Sequence, residues 1–326
     1  KFVVTGCAGF IGSTLTDYLL NNGHRVLGFD NLSTGKKLFL SNALKNKYFK
    51  FINDDIKNIS NYKNDIEGTD LVFHMAANAD VRFGLQHPSK DLFENTVNTL
   101  YLLEAMRSVS TKNIIFASTG SVYGESEEIP TTENCPFPVQ TSLYGASKLA
   151  AEGIISAFCE GFNFNAVACR FVSLMGPRYT HGHVYDFVKS LNNNQNKLFI
   201  LGDGSQYKSY FHVSDCMAAM INFSDKILKN SLRGFNVINL GTNDGITVKE
   251  SVKIICETLN VNPELIFKGG RQGWIGDNPI IKLDISKAIA LGWQPKYALK
   301  ESIQETTLWV KNYYVFFKTF RGRILF

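Results

Sequence analysis

No two of the six cysteines in this chain form a CxxC pair; Cys7, Cys135, Cys159, Cys169, Cys216 and Cys256 stand scattered along 326 residues. That spacing excludes a disulfide framework and a zinc–thiolate site, and it predicts reduced thiols in a cytoplasmic protein. Lysine and arginine are dispersed rather than gathered in blocks, and the formal net charge is a modest +5. Nucleic-acid binders usually carry a basic stripe, so nucleic acid is not an expected partner. Every apolar run stops short of the roughly 18 residues that a membrane span needs, so no membrane association is expected either. The chain opens at Lys1 without a signal-peptide pattern, and a trimmed start is the expectation. Low-complexity tracts and internal repeats are also missing.

What is present is a 44% hydrophobic chain in which short β-rich runs alternate with helical patterns. Phe2-Val3-Val4, Val26–Phe29, Tyr48–Ile52, Leu71–Phe73, Ile114–Ala117 and Ala166–Ala168 read as strands. Gly12–Asn21, Asp91–Ser108 and Tyr144–Glu160 read as helices between them. Parallel neighbours need a crossover helix, so the fold class is α/β with a doubly wound parallel sheet. The rhythm breaks near Ser173. Residues 1–172 are expected to form the dinucleotide-binding domain, which receives further strands from about 209–243. Residues 173–326 are expected to form mainly a smaller, interleaved substrate lobe, and the aromatic, basic tail from Tyr313 suggests no chemistry.

Thr5-Gly6-Cys7-Ala8-Gly9-Phe10-Ile11-Gly12 lies between the first strand and the first helix. Glycines there permit a tight turn and let a pyrophosphate approach the helix N-terminus, where free N–H groups and the dipole favour an anion. Asp30 ends the second strand, placed to accept from ribose hydroxyls and to repel the 2′-phosphate of NADP, so NAD is the expected cofactor. Asn31 follows it in the same turn. Asp54-Asp55-Ile56 follows the third strand, and Asp55 with Ile56 is placed at the adenine edge.

A second cluster begins where the strand Ile114–Ala117 runs into Ser118-Thr119-Gly120-Ser121, with Tyr144-Gly145-Ala146-Ser147-Lys148 further on. Residues four apart share a helix face, which sets Lys148 beside Tyr144. A phenol of pKa about 10 is a poor base at neutral pH, and a neighbouring ammonium together with a cationic nicotinamide favours phenolate. Thr119 would hold the reacting hydroxyl against Tyr144. The YxxxK spacing recurs at Tyr185…Lys189 and Tyr314…Lys318, so spacing alone decides nothing; those two tyrosines read as ordinary packing aromatics.

Taken in order, these motifs resemble the extended short-chain dehydrogenase/reductase (Rossmann) family, and within it the UDP-glucose 4-epimerase-like members. The resemblance continues through His74-Met75-Ala76-Ala77, Asn95, Arg170-Phe171, Gly176-Pro177, Leu201-Gly202-Asp203-Gly204, Tyr210–Asp215, Gly276-Asp277 and Leu291-Gly292-Trp293. It implies that Ala76, Ala77 and Ala117 line the cofactor channel and that Asn95 helps to place the cofactor. It also implies a substrate set of Ser118, Thr119, Ser173, Lys208, Arg271 and Asp277. Ser173 replaces the family's usual Asn and Lys208 its usual Arg, while Trp274 stands where an Arg is customary; Lys208 and Arg271 are then expected to share the diphosphate. Phe199 and Leu201 are expected against the uracil, with Thr180 and His181 shaping the same pocket and Val81 and Arg82 facing the sugar. His181 and His183 lack a third ligand, so no metal is expected.

The same comparison implies a reaction. Sugar dehydratases carry a Glu near the catalytic Thr, whereas Gly120 and Ser121 can serve neither as acid nor as base. The resemblance thus implies a nucleotide-sugar 4-epimerase working on UDP-glucose and UDP-galactose through a 4-keto intermediate, with NAD tightly bound and regenerated each turnover. Alternatives are an epimerase of an N-acetylhexosamine, uronate or heptose nucleotide, a net NAD-dependent oxidoreductase, and a non-catalytic NAD-binding scaffold. A homodimer joined through Asp91–Ser108 and Tyr144–Glu160 is implied as well.

Overall fold

In a computed structural model the described residues are 1–79, 84, 86–136, 139–270 and 280–321, with side chains described as far as 314. The first half runs β1 (Phe2–Thr5), α1 (Phe10–Asn21), β2 (Val26–Phe29), β3 (Phe49–Ile52), α2 (Ile59–Tyr62) and β4 (Leu71–His74). It continues with α3 (Pro88–Asp91), a π-helical turn (Leu92–Val97), α4 (Asn98–Ser108), β5 (Asn113–Thr119), α5 (Leu143–Phe162) and β6 (Asn165–Phe171). After these come β7 (Ser173–Met175), α6 (His183–Asn193), β8 (Lys197–Ile200), β9 (Tyr207–Lys208), β10 (Tyr210–His212) and α7 (Val213–Leu228). The chain ends with β11 (Phe235–Leu240), β12 (Ile246–Thr247), α8 (Val248–Leu259), β13 (Glu264–Phe267), β14 (Ile280–Ile281), α9 (Ser286–Ala290) and α10 (Leu299–Arg321).

Seven strands form one sheet in the order β11-β6-β5-β4-β1-β2-β3, every neighbouring pair parallel. Strands covered on both faces read as nearly continuous apolar runs, and β1, β2 and β4 are buried at every position. Their side chains alternate between two cores. Val4, Phe73, Ile115 and Val167 meet α1 and α7 through Leu15, Leu19, Met220 and Phe223. Val3, Val72, Ile114 and Phe116 meet α4 and α5 through Leu103, Met106, Ile155 and Phe158. No helix among the described residues is long and apolar enough to cross a membrane.

The stretch 209–243 divides in an unexpected way. Its later part, β11, closes the sheet edge beside β6, with Leu240 paired to Phe171. Its earlier part, β10, stays outside and pairs with β7 in a separate two-stranded ribbon. The physical reason is that β7 begins two residues after β6 ends, leaves the main sheet, and takes β10 as its partner.

His74 closes β4 in a fully buried hydroxyl bracket. Thr99 donates to the Asn95 carbonyl (2.7 Å) and so accepts from His74 Nε2 (2.9 Å), leaving Nδ1 to accept from Thr5 (2.7 Å). Burial, with the nearby Lys148 charge, pushes the imidazole down to about 3. The unfolded chain, with a histidine pKa of about 6.5, holds the extra proton between these values. Stability from this group is therefore complete above about pH 6.5 and is lost as pH falls towards 3, by on the order of a few kcal/mol. Urea unfolding followed from pH 7 to pH 4 should show that loss, and His74→Gln should flatten it.

Candidate active site

Gly6 adopts φ +66, and a Cβ there would lie 2.7 Å from the Ala76 amide nitrogen. A Cβ on Gly12 would sit 2.1 Å from the Gly6 carbonyl oxygen. The turn is therefore closed to side chains. Gly9 precedes α1 in extended geometry, with no side chain capping the helix, so the first-turn N–H groups of Phe10, Ile11 and Gly12 are left for an anion. Asp30 follows β2, accepting from the amides of Ala8 (2.9 Å) and Leu32 (2.7 Å). Burial raises its pKa, and these two amides oppose the rise. Asn31 donates to Asp55 (3.2 Å), tying the second acidic loop to the first.

Gly6, Gly9, Asp30, Asp55 and Ile56 line one end of a single cleft of about 970 Å³; Phe10, Ile11, Gly12 and Asn31 line it too. Ala76 and Ala77 form its floor beyond the glycine turn. The tight glycine cradle, the uncapped helix amides and the carboxylate at the strand end fit NAD, which Asp30 would hold by its ribose.

At the cleft's centre β5 delivers Thr119, which accepts from the Ser121 amide (3.1 Å) and donates to the Ser121 hydroxyl (3.2 Å). Ser142 caps α5 by accepting from Gly145 (3.0 Å), fixing where Tyr144 enters the cleft. The Thr119 hydroxyl lies close enough to the Tyr144 phenol to lower its pKa, but burial dominates and pushes it up to about 12, with Asp91 adding to the rise. Lys148 is 1% exposed, lies 4.6 Å from the Phe116 ring, and donates to the Ala117 carbonyl (2.8 Å). Burial lowers it to about 7, against the pull of Glu152 and Asp91. In the protein without cofactor, burial is the largest influence at both groups, and Lys148 is not among the groups that shift Tyr144.

Three residues assigned to the site stand behind the cleft wall rather than on it. Lys148 and Ala117 meet through the bond just given. Asn95, on the π-helical turn, accepts from the Asn78 amide (2.9 Å) and donates to Ser147 (3.0 Å), pinning the loop after β4 to α5. Ser118 lines the cleft, yet its hydroxyl is donated to Glu152.

Glu152 was not anticipated. It lies one turn past Lys148, is 3% exposed, and takes both Arg170 Nε (3.0 Å) and Nη2 (2.6 Å). Arg170 in turn stacks over the Tyr123 ring at 4.6 Å, and Tyr123 donates to Asn239 (2.7 Å). This chain of contacts locks α5, β5, β6 and β11 together directly beneath the Thr119–Tyr144 pair. The i, i+4, i+8 series Tyr144, Lys148, Glu152 was the available signal.

The far end of the cleft is built from the smaller strands. In β8, Leu198 and Ile200 point into the core while Phe199 stays exposed, and Phe199 and Leu201 line the cleft. Ser173, Thr180, His181, Lys208 and Ile281 line it as well. Tyr313 also reaches this wall from α10, stacked on Trp309 at 4.9 Å, so the tail does contribute to the site. Tyr185 and Tyr314 pack ring to ring at 5.4 Å. His183 bonds Ser251 (2.8 Å), and no metal-binding cluster occurs among the described residues. Val81, Arg82, Arg271 and Asp277, like Trp274, lie outside the described residues.

Residues 2–241 match the NAD dependent epimerase/dehydratase family. The UDP-glucose 4-epimerase of Mycolicibacterium smegmatis is 32% identical over 325 residues, an alignment covering 96% of this chain and 99% of that one. Among solved structures, UDP-glucose 4-epimerase of Thermotoga maritima with UDP-glucose superposes with a TM-score of 0.86 at 30% identity, covering 96% and 99%. UDP-glucuronic acid 4-epimerase of Bacillus cereus with UDP-glucuronic acid and NAD gives 0.87 at 27%, covering 96% and 100%.

Proposed function

Because the chain belongs to the NAD-dependent epimerase/dehydratase family, we propose that it is a nucleotide-sugar 4-epimerase interconverting UDP-glucose and UDP-galactose. The observation that carries the reading is that Thr119 and Tyr144 line one cleft together with the dinucleotide cradle and the Phe199–Lys208 wall. Gly120 and Ser121 occupy the positions where an eliminating enzyme needs a carboxylate, so chemistry stays at C4.

NAD, when bound, supplies reversible hydride acceptance at C4, and its cationic ring favours the phenolate that Tyr144 alone does not form. Tyr144 removes the 4-hydroxyl proton, and Thr119 holds that hydroxyl in line. Lys148 supports the phenolate from below through the fixed α5 face. The 4-keto sugar turns about its diphosphate, held by Lys208, and presents its other face. Tyr144 then returns the proton and C4 is inverted. The cofactor ends each cycle in its starting state, which supports permanent retention.

A uronate nucleotide is the second reading, favoured by the Bacillus cereus neighbour, a UDP-glucuronic acid 4-epimerase. We place the protein in the cytoplasm, supported by six unpaired cysteines. Leu92 and Phe93, 50% and 57% exposed ahead of α4, and Phe162 at the end of α5 support a homodimer through those helices. The test is incubation without added NAD, separately with UDP-glucose, UDP-galactose, UDP-N-acetylglucosamine and UDP-glucuronate, with products read by NMR. Conversion of UDP-glucose to its C4 epimer is expected. Stoichiometric NADH formation on added NAD, with no epimer, would replace this reading by that of a net dehydrogenase.

A further inference from the structure

One side chain at the far end of the cleft has unspent chemistry. Gln206 is 4% exposed and lines the cleft, yet neither Oε1 nor Nε2 finds a hydrogen-bond partner among the described residues. A buried donor or acceptor left unpaired costs about 1–3 kcal/mol. Buried amides are paired as a rule, and one that is not calls for an explanation. Its setting holds it where it is. The Gln206 carbonyl accepts from Val248 (3.1 Å), and the amide nitrogen lies so close to Gly202 that a Cβ there would come within 1.8 Å of it.

The neighbours suggest what completes it. Gln206 and Lys208 are two apart on one extended segment and both line the cleft, while Tyr207 between them packs against Gly245. On the other side Leu201 and Phe199 offer exposed apolar surface, 44% and 55% accessible. A cation, then a carboxamide, then an apolar wall follows the order of a nucleoside diphosphate: phosphate, ribose, base. A carboxamide presents one acceptor and two donors in a plane, which suits two vicinal hydroxyls.

We infer that Gln206 reads the ribose of the nucleotide, Oε1 accepting from one hydroxyl and Nε2 donating to the other. The inference rests on the nucleotide-sugar reading above. A pyrimidine edge also offers a donor beside an acceptor, and the position between Lys208 and Leu201 favours ribose over base.

The test is calorimetric titration of the full chain and of Gln206→Leu with UDP, 2′-deoxy-UDP and CDP, together with thermal unfolding of both proteins without nucleotide. The wild type should bind UDP about tenfold more tightly than 2′-deoxy-UDP, the factor expected for one lost hydrogen bond. Gln206→Leu should bind these two equally, and its UDP-to-CDP ratio should match the wild type. Without nucleotide it should melt no lower than the wild type, since an apolar side chain removes two unpaired groups. A purely structural glutamine would give a lower melting temperature with ribose discrimination intact, and that result overturns the inference. A changed UDP-to-CDP ratio overturns it in favour of base recognition. If the wild type binds none of the three, the nucleotide-sugar reading fails and the inference falls with it.

Discussion

Replacing Tyr144 by Phe should lower kcat by about a thousandfold, roughly 4 kcal/mol of transition-state stabilisation, while KM stays within about threefold. The side chain changes by one oxygen, and ring packing at the head of α5 is kept. What disappears is the only group among the described residues that the geometry sets against Thr119 to take the proton. The hydroxyl's titration gives a second readout. In the protein without cofactor Tyr144 is held up to about 12 by burial. Tyrosinate absorbance should therefore develop near that pH, move to lower pH on loading with NAD, and lose this component in the variant. Steady-state kinetics and the paired titrations check both parts. Near-normal turnover in the variant would remove Tyr144 from the mechanism.

Breaking the Glu152–Arg170 pair should have the largest effect on stability. Glu152→Ala strands a guanidinium of which about a tenth is exposed, after removing both of its charged hydrogen bonds. Losing one partner of a buried ion pair typically costs about 3–5 kcal/mol. Replacing both by Met should cost far less than either single change, because no charge remains to desolvate. Chemical denaturation of the two single variants and the double variant measures this coupling. Activity should fall with Glu152→Ala as well, since Ser118, next to Thr119, donates to the same carboxylate. Additive losses in the double variant would show that the pair carries no special energy.

The sequence made the cofactor half of the protein legible because its signals are local. A strand, a glycine turn and a helix adjoin in Val3–Leu15, and Asp30 is identified by ending the next strand. The Tyr144–Lys148 pair needs only the helical repeat and a Ser/Thr-rich strand end. What escaped is what tertiary contact creates. Asn95 reads in the sequence as helping to place the cofactor, and the bonds that set its amide between Asn78 and Ser147 appear only in the fold. Glu152 acquires meaning only when β6 brings Arg170 against it, and Gln206 only when its partners turn out to be missing. Tyr313 sits in a tail with no chemical signature, and α10 carries it to the cleft. The balance at Tyr144 is beyond the sequence for a related reason: adjacency to Lys148 is written in the spacing, whereas desolvation depends on everything packed around it.

The central claim, oxidation and return at C4 within one closed site, is tested most directly by following UDP-glucose deuterated at C4 in ordinary water with no added NAD. The account predicts UDP-galactose that keeps its deuterium at C4, because the same hydrogen leaves and returns within the cleft. Product carrying solvent hydrogen at C4, or epimerisation at another carbon, would contradict it.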